Sequence, residues 1–195
     1  MNKGASLVIR GTLIGCFVVA LLGWLLAKHT HILPQAEVAY AASPAQIAVP
    51  SQEATELKCA INNRYPRGIQ QWCQSITAIA TQAELSPNLI AAVILQESGG
   101  DAQAYSASGA VGLMQVMPRD GIAASFECIN GPCFASRPTI EELLDPGFNI
   151  QYGTHMLAGL ITRLGSLREA LKAYGPMDVG YHYADNVLSI YENYR

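Results

Sequence analysis

From Trp72 to the C-terminus, apolar residues return at spacings of three and four, and no segment alternates convincingly with period two. A chain patterned in this way buries one stripe of each helix and lacks the two-faced alternation that a sheet needs. The expectation is therefore an all-α domain. Trp72 to Leu85 carries Ile76, Ile79, Ala80 and Ala83 on one face. Ser86 is placed to cap the next helix, with Pro87 at its first position. Thr139 to Glu142 reads as a capping box for a short turn that Asp145-Pro146 ends. Ile150, Gly153, Leu157, Leu160, Ile161 and Leu164 form a stripe closed by Gly165. Ser166 to Glu169 reads as a second capping box, opening a helix stopped by Gly175-Pro176. Tyr183, Val187, Ile190, Tyr191 and Tyr194 make the last stripe.

One position in this pattern carries the wrong chemistry. After Ile90, Val93 and Ile94, the next residue on the stripe is Glu97. A carboxyl on the buried face at a helix C-terminus has its pKa raised by desolvation and by the negative end of the helix dipole. Held protonated near neutral pH, it can donate a proton to a leaving oxygen. The alternative is a glutamate that curls out to solvent from the last turn, and spacing alone leaves both open. Ser98-Gly99-Gly100-Asp101 then breaks the helix. Tyr105 to Pro118 is small, glycine-rich and uncharged, and in it Gln115 is the one long polar side chain between Leu113 and Met117. Such an amide either satisfies local backbone or faces a cleft. The other acids have structural readings at helix starts, turns and polar faces. Asp101 is the only plausible second carboxylate, being closest in sequence to Glu97.

Charge excludes one partner class. From Leu57 onward nine Lys or Arg stand against twelve Asp or Glu, a net of −3, with no basic patch or basic–aromatic interleaving. Nucleic acid is not an expected partner. The four histidines (His29, His31, His155 and His182) show no metal-ligand spacing, so no metal is expected, and His155 and His182 read as structural or surface residues.

The N-terminus reads as a targeting segment, residues 1–32. Lys3 and Arg10 precede seventeen uncharged residues, Gly11 to Ala27, a positive region followed by a long apolar one. Seventeen residues is near the lower limit for a membrane-spanning helix. Ala39-Tyr40-Ala41 could be cut by a signal peptidase, but lies far beyond the apolar run, which favours an uncleaved inner-membrane anchor at residues 11–27. Cys16 sits in a lipoprotein-like Leu13-Ile14-Gly15-Cys16, but the apolar stretch continues past it. In every case the rest of the chain leaves the cytoplasm. Residues 33–58, rich in Ala, Pro, Ser and Gln, read as a tether. The folded domain is expected over 59–195. Its four cysteines, Cys59, Cys73, Cys128 and Cys133, argue for two disulfides in an exported domain. Three pairings are possible, and short separations favour Cys59–Cys73 and Cys128–Cys133.

Four blocks in order resemble the lysozyme-like lytic transglycosylases of the soluble-lytic-transglycosylase type. They are Gln96-Glu97-Ser98; Ser106 to Gln115 with Met117-Pro118; Asn149-Ile150 with Gly153; and Ala170 to Gly175 followed by Tyr183 and Val187. The resemblance runs from about Cys73 to the C-terminus. It implies a lysozyme-like helical domain and a peptidoglycan substrate, cleaved between N-acetylmuramic acid and N-acetylglucosamine by Glu97 alone, without a cofactor. It further implies that Gln115 and Tyr174 orient the sugars, that Met114 lines the cleft, and that Tyr183 supports Tyr174 or Glu97. Ser106 either donates to Glu97 or stabilises its turn. Two features depart from the family. Gly175-Pro176 follows the Ala-Tyr pair where Asn is usual, and Cys128 to Cys133 reads as an insertion at one rim of the cleft. A muramidase using water on the same bond is the nearest rival. A non-catalytic anchor that binds wall glycan for a secretion or conjugation apparatus is the rival from another class. An active domain could also open the wall locally for such a machine.

Overall fold

The computed structural model describes residues 58–195, and the targeting segment and nearly all of the tether lie outside the described residues. Seven α-helices follow in order: α1 (Arg67–Gln70), α2 (Cys73–Gln82), α3 (Pro87–Ser98), α4 (Ile140–Leu143), α5 (Pro146–Leu164), α6 (Leu167–Tyr174) and α7 (His182–Tyr194). A 3-10 turn, Gly121–Ser125, precedes a two-stranded antiparallel hairpin, β1 (Glu127–Cys128) and β2 (Gly131–Pro132). A second 3-10 turn, Met177–Val179, joins α6 to α7. The mostly helical expectation holds. The hairpin is too short to show a period, so it left no trace in the hydrophobic pattern. Among the described residues no helix is long and apolar enough to cross a membrane.

The core centres on α3, which packs against α7, α2 and α1. Leu89 to Ile94 are all buried, so α3 is enclosed on every side and not along one stripe. Burying a side chain such as Ile90 or Ile94 stabilises the fold by roughly 1.5–3 kcal/mol relative to leaving it exposed. Ser86 makes no side-chain cap here; its carbonyl instead accepts from the Leu89 and Ile90 N–H groups. Pro87 does occupy the first turn, and Gly99 ends the helix in the left-handed region at φ 63°.

The second layer is α5, which packs against α6, α2 and α4. Asp145 accepts from the Phe148 N–H to cap it, and Gly165 closes it at φ 67°. Leu164, placed on the stripe by its spacing, is 42% exposed in the last position of the helix. The Thr139–Glu142 capping box is complete. The second one is half made. Ser166 accepts from Glu169 N–H, but the Glu169 carboxylate accepts from the Tyr181 hydroxyl instead of turning back to the backbone. Tyr194 stacks on Tyr65 with centroids 4.0 Å apart, and both it and Tyr191 pack against the core. Cys59 is joined to Cys73 and Cys128 to Cys133, the pairing that the short separations favour.

Candidate active site

Three side-chain attachments hold the loop after α3 against the helices. Asn149, wholly buried on α5, accepts from Met114 N–H at 2.8 Å and donates to the Val111 and Leu143 carbonyls at 2.9 Å each. Ser98, next to Glu97, donates to the Leu113 carbonyl at 2.8 Å and accepts from Gly100 N–H at 3.1 Å. Tyr174 on α6 donates to the Met114 carbonyl at 2.8 Å. Gly153 makes the last contact possible: a Cβ there would come within 2.7 Å of Met114 Sδ and 3.0 Å of the Tyr174 hydroxyl. The polar members of the motif blocks are thus largely the fastening of one loop.

That fastening builds a cleft of about 860 Å³ with Glu97 among its lining residues. Glu97 is half-buried in the last turn of α3. The Tyr183 hydroxyl, from the first turn of α7, donates to its Oε1 at 2.5 Å. Burial pushes the Glu97 pKa up to about 7, while the Tyr183 bond, which favours the anion, pulls the other way. The carboxyl therefore holds its proton to a higher pH than an ordinary glutamate does. Tyr183 is itself buried, and its own pKa is raised by burial and by the neighbouring Glu97. Its ring stacks with Tyr174 at 6.5 Å.

Glu97, Ser106, Gln115 and Tyr174 are brought together along the cleft. Gln115 sits in the left-handed region at φ 45°, and its amide donates to the Ala104 and Gly112 carbonyls, so it satisfies backbone and faces the cleft at once. Ser106 accepts from Ala110 N–H at 2.9 Å and pins its turn. One expected substrate contact is displaced. Met114 is fully buried beneath Gly153 and lines nothing, because its backbone is tied to Asn149 and Tyr174. Tyr183 lies behind Glu97 and supports it by hydrogen bond, the place expected of it, without lining the cleft.

Asp101 is not a second acid of the cleft. It is exposed after α3, and its carboxylate accepts from Gln103 N–H in a local turn. The other carboxylate among the lining residues of the cleft is Asp178, in the turn after α6, exposed and without a signal in the sequence beyond its place after Pro176. Also unanticipated on the cleft wall are Phe126 and Phe134, edge-to-face at 6.0 Å across the base of the disulfide-closed hairpin, together with Arg137, His155 and Arg163. The α5 pair could have been read from helical spacing, since positions 155, 159 and 163 share one face beside the apolar stripe. Gly175 is explained by packing. A Cβ there would run into the Tyr183 ring, so an Asn at this position would displace the tyrosine that holds Glu97. Among the described residues, no group of three or more His, Cys, Asp or Glu is arranged to hold a metal ion.

This arrangement coincides with a family model: the transglycosylase SLT domain matches residues 74–179, just over half of the chain. The chain belongs to that family. Among curated SLT relatives, the membrane-bound lytic murein transglycosylase E of Buchnera aphidicola (subsp. Acyrthosiphon pisum) is 33% identical over 100 residues, 51% of this chain and 44% of its own length. The transglycosylase of enterobacteria phage PRD1 is 36% identical over 107 residues, 55% of this chain and 35% of its own. The matched stretch thus spans less than half the length of these relatives. A solved structure of an inactive mutant of the lytic transglycosylase Slt from Pseudomonas aeruginosa gives a TM-score of 0.50 at 23% identity, covering 67% of this chain and 24% of that one, and shows the shared fold.

Proposed function

We propose that this chain is a peptidoglycan lytic transglycosylase that cleaves the β-1,4 bond between N-acetylmuramic acid and N-acetylglucosamine. The observation that carries this reading is Glu97: one half-buried carboxyl whose pKa burial raises to about 7, held by Tyr183, in a cleft of about 860 Å³. Glu97 donates its proton to the glycosidic oxygen as the C1–O bond breaks. The N-acetyl group of the muramyl sugar stabilises the cation developing at C1. Glu97, now a carboxylate, takes the proton of the sugar's 6-hydroxyl, and that oxygen bonds to C1. The product is a 1,6-anhydromuramyl end, and no water is consumed. Tyr183 steadies the anionic form of Glu97 between the two proton transfers. Gln115, Ser106 and the Tyr174 ring face the same space and position the sugars.

Asp178 supports a second reading, since typical glycosidases pair two carboxylates and this one shares the cleft. If it activated water, the product would be a reducing sugar. The masses of muropeptides released by the purified chain separate the two outcomes. The site of action we infer is the envelope face of the inner membrane. The positive-then-apolar N-terminus supports this, as do the two disulfides and the membrane-bound names of relatives. A small tethered domain of this kind suits local opening of the wall for a secretion or conjugation apparatus.

A further inference from the structure

The domain is net acidic, yet the cleft wall opposite in character to Glu97 collects Arg137, His155 and Arg163. Among the described residues neither arginine makes an ion pair; the salt bridges run between Arg168 and Asp185 and between Arg195 and Glu192. Arg137 is half-buried, with its guanidinium 5.9 Å from the Tyr152 ring and against Met156 Sδ, so it is partly desolvated without a carboxylate to answer it. It lies close enough to Tyr174 to oppose the rise that burial imposes on that phenol. The cation shares the cleft with Tyr174 and Glu97.

Helix α5 adds an independent observation. His155, Gly159 and Arg163 follow at intervals of four on one exposed face, spanning about 12 Å at the helical rise. A glycine inside a helix destabilises it by roughly 0.5–1 kcal/mol relative to alanine. Where glycines serve packing a Cβ would collide, as at Gly153, but at Gly159 a Cβ would meet nothing within 4 Å. The gap between the two basic side chains is not filled by the protein.

We propose that Arg137, His155 and Arg163 bind carboxylates hung from the muramyl sugar, with Gly159 leaving room for the substituent that carries them. The wall then distinguishes muramyl-bearing glycan from an uncharged N-acetylglucosamine polymer. The inference rests on the peptidoglycan reading above and adds which part of the substrate is recognised. Two sources share the chemistry: the lactyl carboxylate of a strand stripped of peptide, and the carboxylates of an attached peptide stem, in which the lactyl group is an amide.

Binding is measured with the full-length chain carrying Glu97→Gln, so that no turnover intervenes. Three oligosaccharides of equal length serve as probes: an uncharged chitooligosaccharide, peptide-stripped glycan and stem-bearing glycan. At least one muramyl probe should bind about tenfold or more tightly than the chitooligosaccharide, as expected for charge-assisted hydrogen bonds. Arg137→Gln with Arg163→Gln should erase that margin while leaving chitooligosaccharide affinity within about twofold. A margin confined to stripped glycan assigns the lactyl carboxylate, and one confined to stem-bearing glycan assigns the peptide. Gly159→Gln should melt no lower than its parent and should lose the same margin. Equal affinity for all three probes, or a double variant weakened alike on all three, overturns the proposal. Binding of this pattern by a chain whose Glu97 form releases no muropeptides would uphold the recognition and refute the catalysis.

Discussion

The floor of the cleft and its outer wall are built by opposite means. The floor consists of Glu97, Tyr183, Tyr174 and the loop that Asn149 and Ser98 fasten. These groups come from helices whose other faces form the core, so each is held by packing as well as by hydrogen bonds. The wall consists of Phe126 and Phe134 at a two-strand hairpin and of basic side chains on the exposed face of α5. Nothing in the core depends on it. The floor fixes where a proton is delivered, whereas the wall is free to vary in what it accepts. Substitutions on the floor should change rate and pH dependence, and substitutions on the wall should change affinity.

The largest effect is expected at Glu97. Glu97→Gln removes the transferable proton and should lower muropeptide release by at least about 10²–10⁴-fold. The same change should stabilise the fold in a pH-dependent way. A carboxyl whose folded pKa is raised from 4.5 to about 7 binds its proton more tightly in the folded state. Its contribution is fully present below about pH 4.5 and is lost as the pH rises through 7. Glu97→Gln should therefore leave stability unchanged at pH 4 and raise it at pH 8 by on the order of 3 kcal/mol, read by denaturant unfolding. A variant equally stable with its parent at both pH values would mean that Glu97 is not desolvated.

Tyr183→Phe comes next. It removes the bond that favours the Glu97 anion, so the pKa of the acid rises further. The alkaline limb of activity should move up by about one unit, with a rate loss of about tenfold from the mispositioned acid. An unmoved limb would place Tyr183 in a purely structural role.

The disulfides should divide along the same line. Cys59–Cys73 closes a separation of 14 residues beside the core, and its loss should cost roughly 3 kcal/mol in the chain-entropy model. Cys128–Cys133 closes only 5 residues at the rim, for roughly 2 kcal/mol. Replacing both cysteines of the rim pair with serine should weaken glycan binding and leave the turnover rate of bound substrate nearly unchanged. A fall in turnover comparable to that of Tyr183→Phe would erase the distinction between floor and wall.

The sequence made Glu97 legible because a carboxyl follows closely on a run of apolar residues. Spacing from Ile90, Val93 and Ile94 pointed to Glu97 even though Leu89 to Ile94 are all buried and α3 has no single stripe, while Gly153 and Gly175 stand where the structure leaves no room for a Cβ. Even there, periodicity could not say which neighbours face inward. Met114 and Gln115 are adjacent in one apolar run, yet one is enclosed by Asn149 and Tyr174 while the other reaches the cleft through a left-handed turn. The wall was largely hidden. Phe126, Phe134 and Asp178 sit in irregular segments whose direction is set by tertiary contacts and not by any repeat. His155 and Arg163 lie on a solvated helix face, where basic residues ordinarily have no ligand.

The smallest effects are expected at the remaining carboxylates, and they bear directly on the reaction class. Asp101→Asn loses only a local turn and Asp178→Asn only an exposed rim group, so each should change activity by less than about tenfold, well short of what loss of a general base produces. The account turns on one measurement, the mass of muropeptides released from peptidoglycan by the wild-type chain. Release dominated by 1,6-anhydromuramyl ends, each lighter by one water than a hydrolysis product, is the result that a single acid predicts. Release dominated by reducing ends, abolished by Asp178→Asn, would contradict it and make the same cleft that of a muramidase.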